Sequence, residues 1–294
     1  SLMEYIISCV DEDTKVITVD RNIRNIRNIR NIKSYQCSFV DQTDFSEIAE
    51  KERPDIIFNM AGIVSSTDFG NLFSTNVKIT QTILECIANH GINSRLIVAG
   101  SAAQYDLSSD RFNVTESESL SPSSLYGLSK VLQENVIKYY SDNYGITTIS
   151  ARIFNISGPG QRGDIVPAIF FKKIKTAIEK GEKKILVGRV NHSRDFTDIR
   201  DVANALWLLS ISDLSGVEYV NISSGEPVQI YKLIDTCVEL MDASIDIESL
   251  SEIDNRNNPV SISGNNKRLI ELTGWKRMYS FKQSLMDQLN DYGL

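Results

Sequence analysis

No glycine precedes Gly62 in this 294-residue chain. A glycine-rich phosphate-binding turn upstream of that position is thereby excluded. The four cysteines, Cys9, Cys37, Cys86 and Cys237, show no CxxC spacing, and His90 and His192 stand far apart. That leaves no spacing suited to a zinc site. No run approaches the roughly 18 apolar residues that a membrane span needs. The segment "MEYIISCV" is too short and too acidic for a signal peptide. Positive charge is also in deficit: the formal net charge is −7 and the pI is near 5.1. This argues against nucleic acid as the main partner. A hydrophobic content of 41% with 23% charged residues is ordinary for a soluble globular protein. The expectation is a cytoplasmic protein with buried free thiols and no membrane partner.

What is present is an alternation of β-branched runs with helix-length segments. "KVITVD", "QCSFVD", "DIIFNMAG", "RLIVAGS", "GITTISARIFN" and "EYVNISS" read as strands. Amphipathic stretches near 45–51, 73–91, 126–143 and 200–211 read as helices. This order predicts an α/β fold with a doubly wound, Rossmann-like parallel sheet. After residue 156 come the loop "GPGQRGD", a helix around 165–180 and the strand "KKILVG". A smaller C-terminal domain is expected there. The division predicted is 1–155 plus about 196–226 for the larger domain, and about 156–195 plus 227–294 for the smaller. The stretch "RNIRNIRNIRNIK" has a strict three-residue period, which lines no continuous face of a helix or a strand. It reads as a solvated excursion.

Two features point to chemistry. "KVITVD" ends in Asp20, and an acid at such a strand end often holds an adenosine ribose about 20 residues after a glycine turn. Here the strand end stands without its turn. In "SPSSLYGLSK", Tyr126 and Lys130 lie four apart, on one face of a helix. A lysine ammonium beside a tyrosine is expected to lower the phenol's pKa from about 10 toward the working range. Upstream, "VAGSAAQYD" places Ser101 at a strand's C-terminal end, where α/β sheets build their sites. "FNMAG" ends another strand in the small pair Ala61 and Gly62, which permits close approach of a cofactor.

Together "FNMAG", "GSAAQYD", "YGLSK", "ARIFNISGPGQ", "SRDFTDIRDVANA", "NISSGEPVQI" and "LTGW" resemble the ordered landmarks of the extended short-chain dehydrogenase/reductase family. Its members are NAD(P)-dependent epimerases, dehydratases and reductases of nucleotide sugars. Within it, "ARIFNISGPGQ" with "RDFTDIRDV" is most similar to the GDP-4-keto-6-deoxymannose reductases. The resemblance implies that Tyr126 is the proton donor, that Lys130 binds the nicotinamide ribose and tunes Tyr126, and that Ser101 orients the substrate oxygen. It implies cofactor contacts at Asp20, Asp41, Ala61, Gly62 and Asn76. It implies substrate diphosphate contacts at Asn155 and Arg194, with Arg256 as a weaker match because its spacing to Pro259 departs from the pattern. Asp20 leans toward NAD, which is slightly preferred, and Arg21 beside it leans toward NADP. A nucleotide-sugar substrate and a homodimer are also implied.

The reaction type turns on the residues after Ser101. Dehydratases of this family carry acids there, whereas this chain reads Ala102-Ala103-Gln104. Dehydration is therefore not expected. No residue here separates reduction from C4 epimerisation, and the overall likeness to the reductases favours reduction, with C4 epimerisation as the alternative. The missing glycine turn raises a different expectation, a truncated or non-catalytic chain with impaired cofactor binding. Ser1-Leu2 ahead of Met3 resembles a cloning remnant, and "LMEYIISCV" is expected to be the tail of a helix that follows the missing turn. A sheet without its first strand would leave neighbouring strand edges open.

Overall fold

The structure is a computed structural model, and it describes residues 2–22, 32–39, 42–161, 165–249 and 260–292. Helix α1 (Leu2–Cys9) comes first, followed by the parallel strands β1 (Val16–Asp20) and β2 (Ile32–Gln36). "LMEYIISCV" is thus helical. The second strand departs from expectation. "QCSFVD" was the predicted strand, yet the ladder runs one stretch earlier, from Val16↔Ile32 to Asp20↔Gln36. This register uses the end of the Arg-Asn-Ile repeat and leaves Cys37 to bury itself beyond the strand. The remainder of the repeat, 23–31, lies outside the described residues.

Helix α2 (Gln42–Glu52) leads to β3 (Ile56–Asn59). A short α3 (Phe69–Leu72), a π-helical turn (Phe73–Lys78) and α4 (Ile79–Asn89) then form one continuous helical run. Strand β4 (Arg95–Ser101) follows, then β5 (Arg111–Val114), the long α5 (Leu125–Tyr144), β6 (Thr148–Ile153) and β7 (Asn155–Ser157). The later elements are α6 (Ala168–Lys180), β8 (Lys184–Val187), β9 (Ser193–Asp198), α7 (Ile199–Ile211), β10 (Val217–Ile222) and β11 (Pro227–Gln229). Helix α8 (Ile230–Leu240), β12 (Asp246–Ser249), β13 (Ile262–Gly264), α9 (Lys267–Thr273) and α10 (Phe281–Asp291) complete the described chain.

The central layer is a parallel sheet in the order β10-β6-β4-β3. Its inner strands are apolar on both faces: Leu96, Ile97 and Val98 have no exposed surface. That two-sided burial is what near-continuous Val/Ile/Leu runs in a parallel sheet require. One face packs on α2, α4 and α5 through Phe45, Ile83, Ile87 and Ile137. The other packs on α7 and α9 through Val202, Leu206, Leu209, Leu269 and Trp275. Among the described residues β3 pairs only with β4, and β1 only with β2. The predicted doubly wound sheet is therefore present in two separate pieces. Val19 of β1 and Ile57 of β3 still pack against the same apolar cluster.

A third core gathers α6, α8, α10 and β8 around Phe171, Ile174, Leu233 and Leu285. A small sheet, β11-β9-β13-β5 with β7 beside β9, contributes Phe196 of β9 to this core. Asp195 of β9 is the polar anchor of this region. Its buried carboxylate accepts from Ser224 N and Oγ, Gly225 N and Gly264 N. Burial nevertheless pushes its pKa up, with these donors acting in the opposite sense.

Candidate active site

Helix α5 carries the pair that spacing predicts. Its N-cap is Ser124, whose hydroxyl accepts from Gly127 N at 3.0 Å. The first turn is pressed hard against the turn that follows β4. A Cβ at Gly127 would lie 2.1 Å from the Ala103 carbonyl oxygen, so only glycine allows this approach. Ser101 ends β4 and caps that 3₁₀ turn, accepting from Ala103 N at 3.2 Å. Gln104 closes the box by accepting from Ser101 N at 2.9 Å. The contact brings Tyr126 close to the turn that Ser101 caps.

The far end of α5's inner face is tied to the sheet. Glu134 and Arg152 of β6 form a buried ion pair at 2.8 Å, and Ser150 donates to Glu134 at 2.7 Å. The Arg152 guanidinium also lies over the rings of Tyr105 and Tyr219. A buried pair of this kind fixes an arrangement more than it adds net stability. It leaves the rotation of α5 about its own axis little freedom.

Lys130 sits in a buried polar hub. Its Nζ donates to Ala99 O at 2.7 Å and to Gln133 Oε1 at 3.1 Å. Gln133 Nε2 donates in turn to Asn76 O and to Thr80 Oγ1, each at 2.7 Å. Asn76 stands in the π-helical turn before α4, fully buried. Its side chain accepts from Ile63 N at 2.9 Å and donates to Ser129 Oγ at 2.9 Å. Asn59 donates to Thr80 at 2.9 Å. Gly62 lies exposed on the open side of this hub. A Cβ there would come 3.1 Å from Asn76 Oδ1 and 3.6 Å from Lys130 Nζ.

Two electrostatic consequences follow. Desolvation draws the Lys130 pKa down to about 8. The Tyr126 pKa is raised, burial being the larger cause, with Ser101 working in the opposite sense. This corrects the expectation that lysine lowers it. The ammonium is 5.9 Å from the ring centroid and points at Ala99 and Gln133, so burial wins.

The other predicted residues are more dispersed. Asp20 and Arg21 are exposed at the end of β1, and Asp20 Oδ1 accepts from Asn22 N at 2.8 Å. Ala61 is exposed after β3, its N–H donating to Asn59 at 3.2 Å. Asn155 is exposed on β7 and pairs in register with Phe196, two residues along β9 from Arg194. Arg194 donates to the Ser193 and Val260 carbonyls. It does not pair with the acids beside it: Asp195 is held as described, and Asp198 is bound by Arg200 at 2.8 Å. Asp41 and Arg256 lie outside the described residues. Of the thiols, Cys37, Cys86 and Cys237 are buried as expected, while Cys9 is exposed.

Gln133 and Ser129 are absent from the sequence reading. The signal available was positional: they stand three after and one before Lys130 on α5.

A nicotinamide cofactor suits one side of this arrangement. Gly62 and Ala61 leave an open floor, and Lys130 stands beside it. Comparisons with known proteins agree. The model of the NAD dependent epimerase/dehydratase family matches residues 5–222. GDP-6-deoxy-D-mannose reductase of Pseudomonas aeruginosa is 26% identical over 248 residues, 82% of this chain and 81% of the relative. The dTDP-6-deoxy-L-talose 4-dehydrogenase of Kitasatospora kifunensis is 24% identical over 78% of this chain and 72% of its own. Among solved structures, UDP-glucose 4-epimerase of Thermotoga maritima with UDP-glucose superposes with a TM-score of 0.86 at 20% identity, over 99% and 94% of the two chains. RMD from Pseudomonas aeruginosa, complexed with NADPH, gives 0.81 at 21% identity over 94% and 98%. A family model that spans residues 5–222, laid over a site built as Ser101, Tyr126 and Lys130, places this chain in the NAD-dependent epimerase/dehydratase family.

Proposed function

We propose that this chain is an NAD(P)-dependent nucleotide-sugar reductase acting on the 4-keto group of a 6-deoxy sugar nucleotide, with Tyr126 as the proton donor. The carrying observation is that α5 sets Tyr126 and Lys130 on one face and is pressed at Gly127 onto the turn that Ser101 caps. Carbonyl reduction needs a group that holds a proton at neutral pH and gives it to the developing alkoxide. A bound nicotinamide supplies the hydride. Ser101 donates to the same carbonyl oxygen and orients it toward Tyr126. Lys130 presents its buried ammonium beside Gly62, where it is assigned to the nicotinamide ribose. Nothing ionisable follows Ser101 in the turn at Ala102–Gln104. Loss of water from the sugar, which needs a further acid and base, therefore has no local support.

Cofactor contacts fall to Gly62, Ala61, Asn76 and Lys130 around the reacting end, and to Asp20 and Arg21 at the end of β1. Asn155 and Arg194 are assigned to the substrate diphosphate, with the sugar nucleotide held by the segments 156–195 and 227–294. A guanidinium suits phosphate oxygens through paired donors. The reductase named among the relatives and the NADPH-bound neighbour support this reading.

The test is to incubate the chain with NADPH and a GDP- or dTDP-linked 4-keto-6-deoxyhexose and to analyse the products. One NADPH oxidised per hexose reduced at C4 is the expected outcome. A C4 epimer formed from a UDP-hexose without net NADPH oxidation would replace this reading with an epimerase. Absence of both, with no NADH or NADPH binding by nicotinamide fluorescence, would mark a non-catalytic chain.

A further inference from the structure

We propose that Gln133 is a positioning residue that aims the Lys130 ammonium, by accepting a hydrogen bond from one of its three N–H groups through an amide that the π-helical turn holds in a single orientation. The hydrogen-bond inventory carries the argument. An ammonium has three donors and no acceptor. Ala99 O takes one at 2.7 Å and Gln133 Oε1 takes another at 3.1 Å. The tetrahedral geometry then directs the third toward the remaining open side. Gly62 is on that side: its missing Cβ would stand 3.6 Å from Nζ, and the residue is exposed.

The orientation of the Gln133 amide is fixed by its other half. Nε2 faces two acceptors, the Asn76 carbonyl and Thr80 Oγ1, each at 2.7 Å. A flipped amide would set NH₂ against an ammonium and carbonyl oxygen against the Asn76 carbonyl. Oε1 therefore has to face Lys130. The acceptor is also neutral, which matters because a carboxylate there would cancel the lysine charge that the site uses. Groups facing Lys130 from the neighbouring elements are Asn76 and Thr80 from the helical run, Ala99 from β4 and Gly62 from the loop after β3. None of these titrates. On α5, Tyr126 titrates, and Glu134 is engaged by Arg152 and Ser150.

The test reads Lys130 directly, without substrate or cofactor. The ¹⁵Nζ resonance of Lys130, assigned by its loss in Lys130→Arg, is titrated in the full chain. Wild type should titrate at about 8. Gln133→Met removes a hydrogen bond to the charged form and should lower the midpoint by about 1 pH unit. Gln133→Glu should raise it by about 1–3 units. Opposite displacements are the signature of positioning by a neutral acceptor. Midpoints unchanged in both variants, with only a loss of thermal stability, would overturn the proposal. Gln133→Asn, whose shorter arm withdraws the acceptor, is read like Gln133→Met if either variant fails to fold. A second arm rests on the reductase reading: the pH dependence of NADPH oxidation should move in the same direction as each midpoint. Midpoints that move without any turnover would count against that reading and leave the role of Gln133 standing.

Discussion

The half of the molecule around β4 and α5 and the half around β1 and β2 are built to different standards of closure. In the first, every inner strand has a neighbour on both sides, and Leu96, Ile97, Val98 and Ile149 have no exposed surface. In the second, among the described residues β1 and β2 pair only with each other, and no residue of either strand is fully buried. Polar groups follow the same division. Lys130, Asn76, Gln133 and Glu134 are buried with matched partners. Asp20 and Arg21 are exposed, and Lys15 and Lys33 converge on the single carboxylate of Glu52. Those two lysines remain half exposed, while the Glu52 side chain they reach is buried. The contrast separates two tasks. Proton transfer needs groups whose pKa values are set by burial, and these come from helix spacing plus a packed sheet. In the proposed function, recognition of the cofactor's adenosine end is assigned to strand termini at the looser margin.

Substitutions in the two halves sharpen this contrast. Ile97→Ala, in the closed half, should cost about 2–5 kcal/mol in urea unfolding. Val19→Ala, in the open half, should cost about 1 kcal/mol or less, because that side chain is only partly buried. Equal costs would break the comparison.

A second prediction uses the buried lysine. Its folded pKa of about 8 lies below the ordinary lysine value of 10.5. The folded state therefore bears the full desolvation penalty below pH 8, and the penalty is relieved as pH rises from about 8 to 10.5. Lys130→Met should stabilise the unliganded chain at pH 7 by at most about 3 kcal/mol. The lost bonds to Ala99 and Gln133 reduce that gain. Thermal unfolding should show the advantage shrinking toward pH 10.5. A variant less stable than wild type at pH 7 would show that the hydrogen bonds outweigh desolvation.

The same division explains what was legible in the sequence. Tyr126 and Lys130 could be found because an i, i+4 pair on a helix has only one relative placement. Ser101 could be found because strand ends are where parallel sheets present side chains. The burial that raises Tyr126's pKa was not legible. It depends on α5 being pressed onto the 102–104 turn at Gly127, a tertiary contact. Gln133 was missed for a related reason. Its partners Asn76 and Thr80 come from a separate helical run, through a π-turn that no spacing rule announces. The misplacement of β2 has a simpler cause. "QCSFVD" has the composition of a strand, but parallel pairing with β1 selected Ile32–Gln36 instead.

The most direct test of the central claim is Tyr126→Phe, assayed for NADPH-dependent reduction of a nucleotide-linked 4-keto-6-deoxyhexose, with NADPH affinity measured in parallel. Loss of the phenolic proton should lower kcat by about 10²–10⁴-fold and leave NADPH binding unchanged. Undiminished turnover in the variant would contradict the assignment of Tyr126 as the proton donor.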